Sequence, residues 1–249
     1  MEQKFTDKNY LITGATSGLG NAASRALLES GAKVLGIGRD KSKISDFIQA
    51  YPDNFVFLEL DLSSEFSIEP SISEFVNNNG KFHGYVNCAG KEETMPVTMY
   101  TPQLLKSIFD VNFNAPFEIL RLLSKKKFSE ESASFVLIAS VMSQLGQPAK
   151  TGYCSSKAAL LGLVKSAALE LASRKIRVNA ISPGVVDTPM TQKLFSQIEE
   201  QNVNRIVGMH PLGIGSIDDI TPLILFLLSA DSRWITGQNI MIDGGYSIQ

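Results

Sequence analysis

A tyrosine, a lysine and a serine have the types and spacing that a proton-transfer site needs. Tyr153 and Lys157 are four residues apart, and Ser140 lies thirteen positions before Tyr153 at the end of an apolar run. A tyrosine hydroxyl has an unperturbed pKa of about 10, so it needs a nearby positive charge to stabilise its phenolate near neutral pH. Residues four apart share one helix face, and Lys157 could supply that charge. Such pairs also occur by chance on amphipathic helices. The rest of the chain must therefore show whether this pair is a proton-transfer site.

A glycine-rich segment near the start of the chain predicts a dinucleotide-binding turn. Residues 13–20 read Thr-Gly-Ala-Thr-Ser-Gly-Leu-Gly and follow the first strand-forming run directly. Glycines there let backbone N–H groups approach a pyrophosphate, and a helix N-terminus favours its negative charge. The spacing G-x-x-x-G-x-G differs from the common G-x-G-x-x-G fingerprint, but the order of strand, turn and helix is the one that a dinucleotide needs. The residues expected to contact the cofactor are Gly14, Thr16, Ser17, Gly18, Leu19 and Gly20.

The end of the second strand-forming run indicates which dinucleotide is bound. Arg39 lies nineteen residues beyond Gly20 and is followed by Asp40. At this distance an acidic residue bonds the ribose 2'-hydroxyl of NAD, whereas an arginine accommodates the 2'-phosphate of NADP. The planar guanidinium suits a phosphate, so we expect NADP(H) in preference to NAD(H). Asp40 keeps NAD(H) open, and a surface-loop role for Arg39 is the other alternative.

Short β-rich runs alternate with longer helical patterns along the whole chain. The strand-forming runs are 10–13, 33–38, 55–60, 84–87, 135–140, 177–182 and 240–243, and residues 19–30 have helical periodicity before a stop at Gly31. Such alternation predicts a parallel sheet covered by helices on both faces. Without a linker or repeat, we expect residues 1–249 to form one catalytic domain. The predicted fold is a single-domain Rossmann-type, doubly wound α/β fold with a seven-stranded parallel sheet.

Residues 185–215 interrupt this alternation. No strand pattern occurs there, and Pro189, Gly208, Pro211, Gly213 and Gly215 punctuate a weakly helical stretch. Loops this long in compact domains are often lids or binding segments. The segment follows the sixth strand, on the side where ligands bind in such sheets. We therefore expect a substrate lid, with an ordinary surface excursion as the alternative.

With these segments placed, the chain resembles the short-chain dehydrogenase/reductase family over essentially its whole length. It is similar to the branch of 3-oxoacyl-thioester (acyl carrier protein) reductases. The family's adenine-contacting acidic position and its Asn-x-Ala-Gly motif match Asp61 with Leu62, and Asn87 with Ala89 and Gly90. The family's active-site residues match Asn112, Ser140, Tyr153 and Lys157. The family's segment after the sixth strand matches residues 179–188 and adds the expected cofactor contacts Pro183, Gly184, Val186 and Thr188.

The resemblance implies roles for the four active-site residues. In the family the nicotinamide supplies hydride and the protein orients the reactants. Tyr153 would protonate the carbonyl oxygen as general acid, and Ser140 would hydrogen-bond the same oxygen. Lys157 would bond the nicotinamide ribose and lower the tyrosine pKa, so that Tyr153 and Lys157 also count as cofactor contacts. Asn112 would hold a water that connects the site to solvent.

The leading function is NADP(H)-dependent reduction of a ketone to a secondary alcohol. One alternative is a dehydrogenase that oxidises a sugar, steroid or other secondary alcohol, since the same site works in both directions. Another is a non-catalytic dinucleotide-binding sensor. The resemblance also implies a homotetramer built through helices at about residues 103–127 and 152–174. Residues 211–215 read Pro-Leu-Gly-Ile-Gly where branch members often carry an arginine, which leaves an acyl-carrier partner open.

Composition and charge limit the classes of partner that the protein can bind. The 249 residues are 44% hydrophobic with a formal net charge of -2, so the chain can bury a core and suggests neither nucleic acid nor an anionic membrane as a partner. With no apolar signal region at the start and no apolar run of about 20 residues, we expect a cytoplasmic protein. Cys88 and Cys154 match no metal-ligand spacing, so we expect no metal. We expect His210 to face solvent, with a substrate contact from the lid as the alternative, and Trp234 to pack near the last strand.

Overall fold

Seven strands form one parallel sheet in the computed structural model, which describes residues 4–64 and 67–248. In chain order the strands are β1 (Asn9–Thr13), β2 (Lys33–Gly38), β3 (Phe55–Glu59), β4 (Phe82–Asn87), β5 (Ser129–Ile138), β6 (Arg177–Pro183) and β7 (Asn239–Ile242). Their order across the sheet is β3-β2-β1-β4-β5-β6-β7, and every neighbouring pair is parallel. The predicted seven-stranded parallel sheet is confirmed.

Helices cover both faces of this sheet. Those within the described residues are α1 (Gly18–Glu29), α2 (Ser45–Ala50), α3 (Glu69–Asn79), α4 (Pro102–Phe109), α5 (Ala115–Leu123), α6 (Thr151–Leu171), α7 (Pro189–Phe195), α8 (Glu200–Gly208) and α9 (Ile217–Leu228). Apolar residues of α3, α5 and α6 share one core with strand residues such as Leu11 and Phe135. Those of α1, α2 and α9 share a second core with the intervening strand residues, such as Ile12 and Val136. Because successive strand side chains point to opposite faces, two covered faces require the nearly continuous apolar strands of this sequence.

The strand order reverses between β1 and β4. The chain builds one half of the sheet outward from β1 and the other half outward from β4. The last residues of these two strands, Thr13 and Asn87, are paired in register. In open α/β sheets, ligands bind in the crevice at the carboxyl ends of the strands where the order reverses. The fold therefore places the glycine turn after β1 and the segment after β4 on two sides of one crevice.

The helix predicted at about residues 103–127 is interrupted. A π-helical turn at Asp110–Asn114 separates α4 from α5. Pro116 lies in the first turn of α5 and has no amide hydrogen, so it cannot donate to the carbonyl of Asn112 four residues earlier. Short π-helical turns often occur at functional sites. The interruption thus leaves the Asn112 carbonyl without the donor that a regular α-helix would give it.

Some local predictions were accurate and others were wrong. Gly31 has a φ of +79° immediately after the α1 C-cap, as the predicted stop requires. β5 ends at Ile138, earlier than the predicted strand end, so Ser140 lies two residues beyond the strand. The packing predicted for Trp234 was wrong, because this side chain is 96% exposed. Among the described residues, every helix is too short or too polar to cross a membrane.

Candidate active site and nucleotide-binding site

Helix α6 carries the partly buried Tyr153 and the buried Lys157 on one face. The Lys157 ammonium is 5.9 Å from the centroid of the Tyr153 ring. It donates to the carbonyl oxygen of Ile138, the last residue of β5, at 2.7 Å. Burial lowers the pKa of Lys157 from 10.5 to about 8. The structure therefore brings the predicted tyrosine and lysine together and ties the lysine to the carboxyl end of β5.

Ser140 lies next to the Tyr153 hydroxyl. Its backbone is extended, and its hydroxyl caps the 3-10 turn Val141–Ser143 by accepting from the amide of Met142 at 3.2 Å. The Ser140 side chain lies close enough to the Tyr153 hydroxyl to affect its pKa. Burial raises the pKa of Tyr153 to about 12, although the Ser140 side chain lowers it in part. Tyr153 is thus a protonated donor near neutral pH, with the Ser140 side chain close to it.

The pKa values of Tyr153 and Lys157 lie in an order that the spacing of the pair did not predict. The pKa of Lys157 is about 8 and that of Tyr153 is about 12. On these values the lysine loses its proton before the tyrosine ionises, and its charge then cannot stabilise the phenolate. The lowering of the tyrosine pKa by Lys157 therefore stays a prediction about the site with its dinucleotide bound.

The Asn112 side chain is fully engaged. Its Oδ1 accepts from the amide of Lys91 at 2.7 Å, and its Nδ2 donates to the Lys91 carbonyl at 2.8 Å and to Ser156 Oγ at 2.9 Å. A Cβ atom on Gly90 would lie 3.5 Å from Lys157 Nζ and 3.6 Å from Asn112 Oδ1. These contacts join the segment after β4 to α6 beside Lys157. With its side chain engaged in these bonds, the water-holding role of Asn112 stays a prediction.

The glycine turn after β1 is as tight as its sequence predicts. Gly14 and Gly18 have φ values of +70° and +53°, which favour glycine. A Cβ on Gly14 would lie 2.9 Å from the Ala89 amide nitrogen, and one on Gly20 only 2.3 Å from the Gly14 oxygen. Ser17 is the N-cap of α1, but its side chain makes no capping hydrogen bond. The turn thus presents open backbone and a helix N-terminus with an uncommitted hydroxyl, which fits a pyrophosphate.

Arg39 and Asp40, which follow β2 directly, have different surroundings. A Cβ on Gly38 would lie 2.5 Å from Thr16 Cγ2, so a larger residue cannot occupy position 38 without moving Thr16. Asp40 accepts from the amide and the hydroxyl of Ser42 at 3.0 and 2.6 Å, and these bonds lower its pKa. The Asp40 carboxylate is therefore committed to capping the next turn, whereas Arg39 is exposed.

Asp61 follows β3 and Asn87 ends β4, at the same carboxyl edge of the sheet. Hydrogen bonds from the Ser63 amide and hydroxyl, at 2.9 and 2.8 Å, lower the pKa of Asp61, and the charge of Arg39 lowers it further. The Asn87 Oδ1 accepts from Thr13 Oγ1 at 2.8 Å. Its buried Nδ2 has no partner among the described residues. An orphaned donor at the crevice fits a site completed by a bound polar ligand. Leu62 and Leu19, also predicted contacts, pack against the two cores.

The segment after β6 closes over the glycine turn. A Cβ on Gly184 would lie 2.9 Å from Asp243 Cα, so only glycine fits between Pro183 and the last strand. Val186 is buried and forms an isolated bridge with Gly215. A Cβ on Gly18 would lie 3.7 Å from Thr188 Cγ2, which places the Thr188 methyl against the turn. The predicted cofactor contacts after β1 and β6 therefore meet across the crevice.

His210 was predicted to face solvent, and that prediction was wrong. Its ring is 4% exposed and lies 4.8 Å from the Tyr246 ring. Nε2 accepts from the Val185 amide at 3.1 Å, and Nδ1 lies 2.8 Å from the Ile206 carbonyl oxygen, to which it donates in this tautomer. His210 thus joins the end of α8 to the start of residues 185–215 and to the C-terminal turn.

A family model described as enoyl-(acyl carrier protein) reductase matches residues 14–247. The chain belongs to the short-chain dehydrogenase/reductase family. Within this family, the 3-oxoacyl-[acyl-carrier-protein] reductase of Thermotoga maritima is 32% identical over 98% of this chain and 100% of its own length. The reductase of the same name from Rickettsia prowazekii is 33% identical over 97% of each chain.

Solved structures of the short-chain dehydrogenase/reductase family agree with the fold. 4-hydroxyisoleucine dehydrogenase complexed with NADH has a TM-score of 0.89 and 32% identity, covering 97% of this chain and 99% of its own. The ligand-free aldohexose dehydrogenase of Thermoplasma acidophilum has a TM-score of 0.85 and 26% identity, covering 100% and 97%. The chain is therefore an NAD(P)-dependent oxidoreductase that acts on CH-OH or C=O groups.

Proposed function

We propose that the protein reduces a ketone to a secondary alcohol with NADP(H), using Tyr153 as the proton donor. The observation that carries the proposal is the placement of the Ser140 side chain close enough to the Tyr153 hydroxyl to lower its pKa, one helical turn from the buried Lys157. The bound nicotinamide supplies the hydride. This chain's residues must then orient the carbonyl and deliver a proton to its oxygen.

Tyr153 and Ser140 act on the carbonyl oxygen. Negative charge develops on this oxygen in the transition state, and two hydroxyl donors at hydrogen-bond distance stabilise it. Burial keeps the pKa of Tyr153 near 12, so the phenol is protonated when reduction begins. Tyr153 gives its proton to the oxygen as the alkoxide forms, while Ser140 holds the oxygen in place. In alcohol oxidation the proton transfer runs in reverse, from the alcohol oxygen to Tyr153, while Ser140 again holds the oxygen.

Lys157 and Asn112 connect Tyr153 to the ribose and to solvent. The Lys157 ammonium makes one hydrogen bond to the Ile138 carbonyl, which leaves further N–H donors for a ribose hydroxyl. The main-chain carbonyl of Asn112, which receives no hydrogen bond from Pro116, would hold the water that returns a proton to the site. The Asn112 side chain fixes this turn against α6 through Ser156.

The choice of NADP(H) rests on the end of β2. The contact between Thr16 and Gly38 leaves no room at position 38 for an acidic side chain that would hold a 2'-hydroxyl. Asp40 is committed to the amide and hydroxyl of Ser42. Arg39 is exposed and makes no ion pair within the described residues, so its fork is free for a 2'-phosphate.

A second candidate function is the NAD-dependent oxidation of a secondary alcohol. It is favoured by 4-hydroxyisoleucine dehydrogenase, which is as similar in sequence as the bacterial reductases and whose structure holds NADH. The 3-oxoacyl reductases favour a 3-oxoacyl thioester as the substrate class for the first candidate. We propose residues 185–215, with α7 and α8, as the lid that selects between such substrates.

We also propose a homotetramer. Leu105 on α4 and Phe117 on α5 are exposed at 40% and 45%, and Leu169 on α6 at 81%. Apolar side chains on the exposed side of helices often mark contacts between subunits. Light scattering that gives a mass four times that of the chain supports this assembly, and a monomeric mass contradicts it.

The experiment that tests the function is a carbonyl panel followed by NADPH absorbance, with NADH in parallel. The panel contains a 3-oxoacyl thioester, a keto sugar, a steroid ketone and a 2-oxo acid, and the corresponding alcohols are tested with both oxidised cofactors. Ketone-dependent loss of NADPH, faster than that of NADH, is the expected result. Cofactor binding without turnover on any compound would contradict catalysis.

A further inference from the structure

Two side chains outside the proposed catalytic set form a buried ion pair beside α6. Lys150 is the N-cap residue of α6, three positions before Tyr153, and is only 6% exposed. Its ammonium pairs with the carboxylate of Glu92, a mostly buried side chain in the loop after β4. The same ammonium donates to Thr94 Oγ1 at 2.6 Å, and the Thr94 hydroxyl donates to Glu92 at 3.0 Å. Charges are buried in this way only when they are paired and hydrogen-bonded.

The backbone joins the same two segments. The Met95 amide donates to the carbonyl oxygen of Ala149 at 2.7 Å. Ala149 has a φ of +64°, a left-handed conformation that alanine rarely adopts. The Lys150 amide closes this turn by donating to Gln147 at 3.2 Å. A strained turn persists when its surroundings hold it, and here the loop after β4 supplies that support.

We propose that Lys150 and Glu92 are positioning residues, which hold the loop after β4 against the first turn of α6 and so fix Tyr153 relative to the substrate carbonyl. The proposal rests on Tyr153 acting as the proton donor. Breaking one partner of a buried pair leaves the other charge uncompensated, so the two segments would separate or admit water. The pair therefore stabilises one placement of the tyrosine hydroxyl.

The ion pair also affects the pKa of Tyr153, through the charge of Glu92. Burial is the main cause that raises the pKa of Tyr153, the Ser140 side chain opposes it, and the charge of Glu92 raises it further. The other titratable groups facing the tyrosine are Cys154, its neighbour on α6, and Lys157, one turn along the same helix. Removing the Glu92 charge should make the phenolate easier to form, an effect that loss of packing alone would not produce.

The test compares Glu92→Gln, Lys150→Met and the reversed pair Glu92→Lys with Lys150→Glu. Glu118→Gln is the matched control, because it breaks an exposed ion pair with Arg121 on α5. The first readout is hydrogen exchange at the Met95 amide, with the Leu11 amide in β1 as a check that each variant is folded. The second is the pH midpoint of alcohol oxidation with NADP+, measured on the alcohol of the best ketone from the panel.

We expect Met95 to exchange at least about tenfold faster in each single variant, and the reversed pair to restore part of its protection. Glu118→Gln should leave this rate unchanged. In Glu92→Gln, the oxidation midpoint should move to lower pH by about half a unit or more, since a charge that opposes the phenolate is gone.

Unchanged exchange at Met95 in both single variants would overturn the positioning role. Faster exchange in Glu92→Gln with an unchanged pH midpoint would overturn the link between the ion pair and Tyr153. If Tyr153→Phe retains full turnover, the proposed function fails instead. The exchange measurement, which needs no substrate, still decides whether the pair holds the two segments together.

Discussion

Replacing Lys157 by methionine should change how the free energy of unfolding depends on pH. The side chain is 4% exposed, and burial lowers its pKa from 10.5 to about 8. Between these two values the unfolded chain binds more protons at this lysine than the folded chain does, so the stability of the wild type rises with pH. The contribution of Lys157 is fully present above about pH 10.5 and is lost as the pH falls through about 8.

The size of the effect follows from the shift. The drop from 10.5 to about 8 corresponds to about 3 kcal/mol over the whole range. About 1 kcal/mol of this falls between pH 7 and pH 9, where the folded lysine loses most of its proton and the unfolded lysine keeps it. Other titrating groups are common to wild type and variant and cancel in the difference.

Urea unfolding followed by circular dichroism at pH 7, 8 and 9 measures this difference. The gap in unfolding free energy between wild type and Lys157→Met should shift by about 1 kcal/mol in favour of the wild type from pH 7 to pH 9. Lys165→Met, on the exposed side of α6, controls for the loss of a lysine. Parallel pH dependences for the wild type and Lys157→Met would refute the depressed pKa and the burial argument behind it.

Two substitutions test the nucleotide site. Arg39→Ala should weaken NADPH binding by about 10- to 100-fold and NADH binding little, because a charge-assisted bond to the 2'-phosphate is lost. Fluorescence titrations measure both affinities, with Arg233→Ala as the control. Equal losses for the two dinucleotides would contradict the contact. Gly20→Ala should abolish binding of both dinucleotides and lower the melting temperature, since its Cβ would lie 2.3 Å from the Gly14 oxygen. Gly162→Ala in α6, where a Cβ meets nothing within 4 Å, should instead stabilise by about 0.5–1 kcal/mol. Full NADPH binding by Gly20→Ala in calorimetry would show that the turn is not as tight as described.

The sequence predicted the sheet because the signals for its strands are local. Seven apolar runs that alternate with helical patterns require two covered faces, and Gly31 ends α1 by its positive φ. The glycine turn could also be predicted, since Gly14 and Gly20 occupy places where a Cβ would collide with backbone. Tyr153, Lys157 and Ser140 come together because α6 and the end of β5 lie side by side.

Other features depend on contacts between distant segments. The π-helical turn at Asp110–Asn114 had one local signal, Pro116, which was not used in predicting a continuous helix. His210 is buried by Val185 and by Tyr246, and no local pattern shows that these segments meet. The pairing of Lys150 with Glu92 joins residues 58 positions apart. The exposure of Trp234 likewise reflects which surfaces the sheet and helices leave uncovered.

The most direct test of Tyr153 as the proton donor is Tyr153→Phe, which removes one hydroxyl and keeps the ring. We expect NADPH affinity, measured by fluorescence titration, to stay within about twofold, because the glycine turn and Arg39 are untouched. Turnover of the best panel ketone should fall by about 10²- to 10⁴-fold, the usual contribution of a positioned general acid. A Tyr153→Phe variant that binds NADPH and retains wild-type turnover would show that Tyr153 does not deliver the proton.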